Sequence, residues 1–173
     1  MASSIVELEV SGRRVEVMVR PLTTLQSVLR ELGFTSVKEG CRQGGCGSCT
    51  VLLDGEPVPS CLLPVEDAAG HRITTVEGLT PDDGLSRVQR AFLEGNGFQC
   101  GYCTPGMVMV ATALLEREPA PSRERIVEAL GGSICRCTGY EPIVDAIAAA
   151  AGAREGSAGR AEPRRPLEPE ATR

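Results

Sequence analysis

Apolar and polar positions alternate along the first twenty residues. Val6, Leu8 and Val10 are separated by polar neighbours, Ser11-Gly12-Arg13 supplies a turn, and Val15, Val17 and Val19 resume the alternation. A period of two on either side of a turn predicts a β-hairpin. Leu25, Val28, Leu29 and Leu32 then recur at helical spacing, behind Thr24 as a cap and ahead of Gly33 as a stop. A glycine-rich loop over Glu39–Ser48 breaks the pattern. Thr50-Val51-Leu52-Leu53 and Glu56-Pro57-Val58 flank Asp54-Gly55, a favoured hairpin turn pair, and Ile73-Thr74-Thr75-Val76 reads as a further strand. Residues 1–79 thus describe a small α+β unit.

From Thr80-Pro81 the period becomes helical. Leu85, Val88 and Phe92 share a face, and Gly95-Asn96-Gly97 ends that helix. Thr104 is expected to cap the next, with Pro105 at its first position and Met107, Val108, Ala111, Leu114 and Leu115 buried. Ser122 caps a third helix through Ile126, Ala129 and Leu130 to Gly131-Gly132, and Pro142 opens a fourth through Ile143, Ile147 and Ala151. Such short, tightly linked helices predict an all-α four-helix bundle over residues 80–151. The methionines and leucines at these spacings are core. Residues 152–173, with Pro163, Pro166, Pro169 and the Arg164-Arg165 pair, cannot bury a core and are expected to be a disordered tail.

Composition sharpens this picture. Aromatic residues make up only 3% of the 173, so two small cores need another source of stability, and eight cysteines offer one. A formal net charge of -5 disfavours nucleic acid and anionic membrane surfaces as partners. No apolar run approaches the ~20 residues of a bilayer span, so no transmembrane segment is expected. The N-terminal residues hold no unbroken apolar stretch, and Arg13-Arg14 is followed by alternation rather than an apolar run. No export signal is read there, and a cytoplasmic location is expected. Thiols stay reduced in that compartment, which favours metal over disulfides.

The cysteines fall into two ordered sets. The first is Cys41-x4-Cys46-x2-Cys49 with a distant Cys61, its first three members on the glycine-rich loop. This is the plant-type ferredoxin spacing for a 2Fe-2S cluster. Glycines let such a loop take positive φ and bring N–H groups close to sulfur. A structural zinc site more often pairs two close ligands with two other close ligands, and a glycine-rich x4 gap is unusual for it. The second set is Cys100-x2-Cys103 and Cys135-x-Cys137. Spacing alone leaves a zinc site open here beside a second cluster. Cys103 precedes the Thr104-Pro105 helix start and Cys137 lies near the fourth helix, so depressed thiol pKa values are expected at both. His71, the only histidine, reads as a surface residue, and a Rieske centre is excluded because it needs two. Asp82-Asp83 reads as solvated charge. There is no Ser/His/Asp set, phosphate loop or dinucleotide fingerprint, so the chain carries no substrate chemistry of its own.

Two longer stretches carry a resemblance. Cys41-Arg42-Gln43-Gly44-Gly45-Cys46-Gly47-Ser48-Cys49-Thr50-Val51, followed by Leu53-Asp54-Gly55, resembles the ferredoxin segment of the xanthine oxidase family of molybdenum hydroxylases. Gln99-Cys100-Gly101-Tyr102-Cys103-Thr104-Pro105-Gly106-Met107 and Ile134-Cys135-Arg136-Cys137-Thr138-Gly139-Tyr140 resemble that family's second cluster motif. The resemblance covers roughly residues 4–151 and is to the separate small iron–sulfur subunit, as in carbon monoxide dehydrogenase. It implies a β-grasp ferredoxin domain followed by a helical domain. It implies that Cys41, Cys46, Cys49 and Cys61 hold the 2Fe-2S cluster farther from molybdenum, and Cys100, Cys103, Cys135 and Cys137 the nearer one. Gln99 would contact the molybdopterin, with Cys137 beside the pterin. The implied partners are a large molybdopterin subunit and a medium FAD subunit, in a heterotrimer or a dimer of heterotrimers. Ser48 stands where the family usually has Ala, and Ser133 where Asn is common. Two other readings stand beside this one. One is a ferredoxin domain with a zinc-stapled bundle acting as an adaptor. The other is a free electron carrier, against which Gln99 argues.

Overall fold

The computed structural model describes residues 3–81 and 84–152. Asp82, Asp83 and the tail beyond Gly152 lie outside the described residues. Strands β1 (Ser4–Val10) and β2 (Arg13–Val19) form the expected hairpin, with Val6 opposite Val17 and Leu8 opposite Val15. Its two turn residues, Ser11 and Gly12, sit at φ 49° and 77°, the left-handed pair that matches strand twist. Thr24 caps α1 (Leu25–Glu31), its side chain accepting from the Ser27 N–H. Strands β3 (Thr50–Leu53) and β4 (Glu56–Pro59) turn through Asp54 and Gly55. Strand β5 (Arg72–Thr74) pairs parallel with β1 and antiparallel with β3, giving a mixed sheet of order β2-β1-β5-β3-β4. Leu25, Val28 and Leu29 of α1 pack with Leu8, Val10, Val51 and Ile73 of the sheet in one core.

The strand expected to run to Val76 stops at Thr74. Ser11 Oγ accepts the Thr75 N–H at 3.1 Å and lies 3.1 Å from its hydroxyl, which turns the chain off the sheet. Thr75 then occupies the N-cap position of a one-turn helix, α2 (Val76–Leu79). Val76 and Leu79 pack on Leu52, Met109 and Ala113. Apolar content alone could not separate this turn from a strand.

The helical half contains α3 (Arg87–Glu94), α4 (Thr104–Arg117), α5 (Arg123–Ala129) and α6 (Glu141–Gly152). Ser86 and Gln89 form a capping box at the start of α3. Leu85 therefore precedes the helix and is half-exposed, while Val88 and Phe92 are buried as expected. Helix α4 begins at Thr104 itself, with Cys103 at the N-cap and Pro105 one residue later than expected. Ser122 caps α5, and α6 starts at Glu141, just before Pro142.

Helix α4 is buried on two sides. Met107, Val108, Ala111, Leu114 and Leu115 join the helical core, whereas Met109 and Ala113 face Leu52 of the sheet. It is the wall shared by both halves, so its apolar residues extend beyond a single stripe. At its start, a Cβ added to Gly106 would lie 2.2 Å from the Gly47 carbonyl oxygen. Among the described residues no helix is long and apolar enough to cross a membrane.

The Gly106–Gly47 approach gives a first prediction. Gly106→Ala should destabilise the protein by about 1–3 kcal/mol, because a carbonyl cannot rotate away as a side-chain tip can. Gly131→Ala, where an added Cβ meets nothing within 4 Å, should stay within ~0.5 kcal/mol. Urea denaturation followed by circular dichroism checks both.

Candidate metal centres

The first cysteine set sits on a loop that the sheet unit holds from behind. Gln26, buried in α1, donates its Nε2 to the Lys38 carbonyl at 2.8 Å. Arg30, one turn on, donates Nη1 to the Val37 carbonyl at 2.8 Å. The Lys38 N–H reaches the Ser48 carbonyl at 3.2 Å and closes the base of the loop. Inside it, a Cβ on Gly40 would come within 2.8 Å of Cys46 Sγ, so the backbone forms a cradle that a side chain would fill. Register explains the distant fourth cysteine. Thr50 lies opposite Pro59 in the β3–β4 hairpin, and Ser60 Oγ donates to the Cys49 carbonyl at 2.7 Å. Cys49 and Cys61, at the open end of this hairpin, are thereby brought together.

Thiol chemistry differs across the set. The Gln43 N–H, the Cys46 sulfur, and the Cys46 and Gly45 N–H groups hold the Cys41 thiol down at about 7 against the opposing effect of desolvation. Burial pushes the Cys61 thiol up to about 11, with the Cys49 and Cys41 thiols adding to it and the Gly44 N–H opposing.

The second set joins the start of α4 to the segment before α6. Cys137 Sγ lies 3.4 Å from Cys100 Sγ, and Cys103 lies beside Cys135. Cys135 Sγ faces three donors: the Thr138 hydroxyl at 3.1 Å, the Thr138 N–H at 3.4 Å and the Cys137 N–H at 3.5 Å. Although burial opposes it, these donors bring the Cys135 thiol down to about 7. The depression expected at Cys103 and Cys137 does not occur. Burial raises Cys103 to about 12, outweighing the helix start, and the Cys100 thiol raises Cys137.

The thiols thus come in pairs: Cys41 with Cys46, Cys49 with Cys61, Cys100 with Cys137, and Cys103 with Cys135. All eight are free of disulfides. Two pairs facing each other suit a dinuclear core with two thiolates per iron. The donor set and the N–H groups aimed at sulfur therefore fit 2Fe-2S clusters better than zinc.

The two loops interlock. The Ile134 N–H donates to the Cys46 carbonyl at 3.0 Å, and the Tyr102 hydroxyl donates to the Glu39 carbonyl at 2.8 Å. A Cβ on Gly47 would clash with the Gly132 carbonyl at 2.6 Å and with Ser133 Oγ at 2.8 Å. Ser48 and Ser133, the two departures from the family pattern, are both buried near this junction. Gln99, Cys100 and Cys137 are exposed together at the mouth of the second set. His71 sits at the surface as expected, and there it pairs with Asp54 at 2.6 Å. The supports that sequence reasoning missed are Gln26, Arg30, Thr138 and Tyr140. A glutamine beside the apolar stripe of α1 was the only legible sign of the first.

A fold with two interlocked four-cysteine loops, each offering paired thiols and backbone donors, defines a protein built to carry two 2Fe-2S clusters. Comparison agrees: residues 8–76 match the 2Fe-2S iron-sulfur cluster binding domain and residues 75–148 the 2Fe-2S binding domain. The nicotine 6-hydroxylase small subunit of Paenarthrobacter nicotinovorans is 47% identical, over 85% of this chain and 89% of that one. The nicotinate dehydrogenase small FeS subunit of Eubacterium barkeri is 44% identical, over 82% of this chain and 91% of its own. Quinoline 2-oxidoreductase from Pseudomonas putida 86 superposes with a TM-score of 0.83 at 43% identity, covering 87% of this chain and 94% of the matched chain. The chain belongs to the small iron–sulfur subunits of the molybdenum hydroxylases, the electron-transferring, non-catalytic part of an oxidoreductase complex.

The pairing predicts how iron is lost. The intact chain should hold about four Fe with matching sulfide. Cys46→Ser and Cys100→Ser should each fall to about two Fe and abolish a different one of two paramagnetic resonance signals. Zinc in place of iron in the second set would contradict the assignment.

Proposed function

We propose that this chain passes electrons one at a time from the molybdenum cofactor of a large partner subunit to FAD in a medium subunit, or to an external acceptor. In this reading residues 1–79 form a β-grasp ferredoxin domain and residues 80–151 a four-helix-bundle domain. Cys100, Cys103, Cys135 and Cys137 hold the 2Fe-2S cluster nearer molybdenum, and Cys41, Cys46, Cys49 and Cys61 hold the farther one. When bound, the clusters supply reversible one-electron chemistry at each set. The protein's own part is to bind, shield and orient. N–H groups offset the sulfur charge. The Ile134–Cys46 hydrogen bond fixes one loop against the other, and the shared wall of α4 keeps their separation constant.

The observation that carries this reading is the interlock of the two cysteine loops, with one set opening to the surface beside Gln99. A free carrier has no need of an exposed amide next to its cluster, and a zinc-stapled adaptor needs all four thiols of a set on one ion, whereas a dinuclear core takes them two by two. Gln99 donates its side-chain amide to the pterin in this proposal, and Cys137 lies alongside it. The assembly is a cytoplasmic heterotrimer or dimer of heterotrimers with the large molybdopterin and medium FAD subunits. The named relatives support this, since two of them are small subunits of a hydroxylase and a dehydrogenase.

Gln99→Ala in the assembled complex should slow turnover about tenfold, the worth of one good hydrogen bond, while both cluster signals persist. Steady-state assay with an artificial electron acceptor measures it. Unchanged assembly and turnover would remove the pterin role of Gln99.

A further inference from the structure

Cys135 is served by a side-chain hydroxyl as well as by backbone. Thr138 Oγ1 lies 3.1 Å from Cys135 Sγ. The direction of that hydrogen bond follows from its neighbours. The Tyr140 N–H donates to Thr138 Oγ1 at 3.1 Å, so the oxygen already serves as an acceptor, and its one proton is free for the sulfur. Tyr140 also takes the Cys135 N–H on its phenol oxygen at 3.0 Å and passes the phenol proton to the Ser133 carbonyl at 3.2 Å. Cys135, Tyr140 and Thr138 thus close a ring of hydrogen bonds: Cys135 N–H to the Tyr140 hydroxyl, Tyr140 N–H to Thr138, and the Thr138 hydroxyl to Cys135 Sγ. Tyr140 holds φ 71° within it, a left-handed conformation for a bulky residue. In the first set, the donors found at Cys41 and Cys61 other than neighbouring thiols are backbone N–H groups of Gln43, Gly44, Gly45 and Cys46.

We infer that Thr138 is a positioning residue of the second centre, whose hydroxyl proton, aimed by Tyr140, raises that centre's reduction potential independently of the first. This rests on Cys100, Cys103, Cys135 and Cys137 being cluster ligands. The physical reason is charge. Reduction adds one negative charge to a centre already anionic, and a donor on a ligand sulfur stabilises the reduced form more than the oxidised. Thr138 is partly buried, so water does not freely replace the lost donor.

The test is a redox titration of the purified complex followed by paramagnetic resonance, with Thr138→Val and Thr138→Ser. Valine keeps the shape and removes the hydroxyl; serine keeps the hydroxyl and loses the methyl. The expected result is a shift of one signal to more negative potential in Thr138→Val, the other signal unmoved, and both at the native potentials in Thr138→Ser. Loss of the second centre's iron in Thr138→Val with retention in Thr138→Ser overturns the inference, because the hydroxyl would then be needed to hold the cluster rather than to set its potential. Native potentials in Thr138→Val overturn it. So does a Thr138→Ser protein that behaves like Thr138→Val, since packing of the methyl group would then be the cause. A native complex lacking two distinct 2Fe-2S signals sinks the relay reading itself, whereas two signals that ignore Thr138→Val sink only the role of Thr138.

Discussion

Sulfur anions repel one another, and this chain gathers eight cysteines onto an acidic polypeptide. The gathering is tolerated because backbone N–H groups are turned toward the sulfurs, and that requirement shapes the rest. A segment whose N–H groups serve sulfur cannot spend them on a sheet or a helix. Both cysteine loops are therefore irregular, and both must be held by elements that are not. Gln26 and Arg30 do this from α1, and the β3–β4 hairpin does it by register. The cost is visible at Arg42, a non-glycine at φ 55°, while Gly44 and Gly47 take the left-handed region in the same short loop without strain.

The two halves meet at backbone. Gly47 against Gly132 and Ser133, Gly106 against Gly47, and the Ile134–Cys46 hydrogen bond leave no room for side chains between the loops. Electron hopping falls off steeply with distance and suffers when centres move, so an interlock of main chain serves the proposed role better than a flexible linker. Helix α4 extends the same logic. It contributes Met109 and Ala113 to the sheet side and Met107, Val108 and Leu115 to the helical side. A chain with no tryptophan obtains a stable pair of small cores by sharing one helix between them.

The two sets are not equivalent in their surroundings. In each, one thiol is held low by donors and one is driven high by burial: Cys41 against Cys61, and Cys135 against Cys103. Helix N-termini, which sequence reasoning credits with lowering thiol pKa, lose to desolvation at Cys103 because it is buried where α4 begins. The exposed pair Cys100 and Cys137 opens beside Gln99. The asymmetry of burial fits the proposed relay, in which the second centre faces a partner.

Periodicity alone determined the hairpins, α1 and the four later helices, because burial of one face leaves a regular trace in apolar residues. Cysteine spacing alone divided the eight cysteines into two groups of four, because residues close in the chain share a loop. What it left open was decided in three dimensions. Val76 turns into α2 because Ser11, sixty-odd residues away, captures Thr75. The choice between zinc and a dinuclear centre in the second set depended on which thiols pair, and Cys100 finds Cys137 across the fold rather than Cys103 beside it in the chain. The service of Gln26 to Lys38 and of Thr138 to Cys135 is a matter of side-chain direction, which a linear pattern does not record. Local order could be read because it is set by neighbours in the chain; contacts across the fold could not, because they exist only once distant segments have packed.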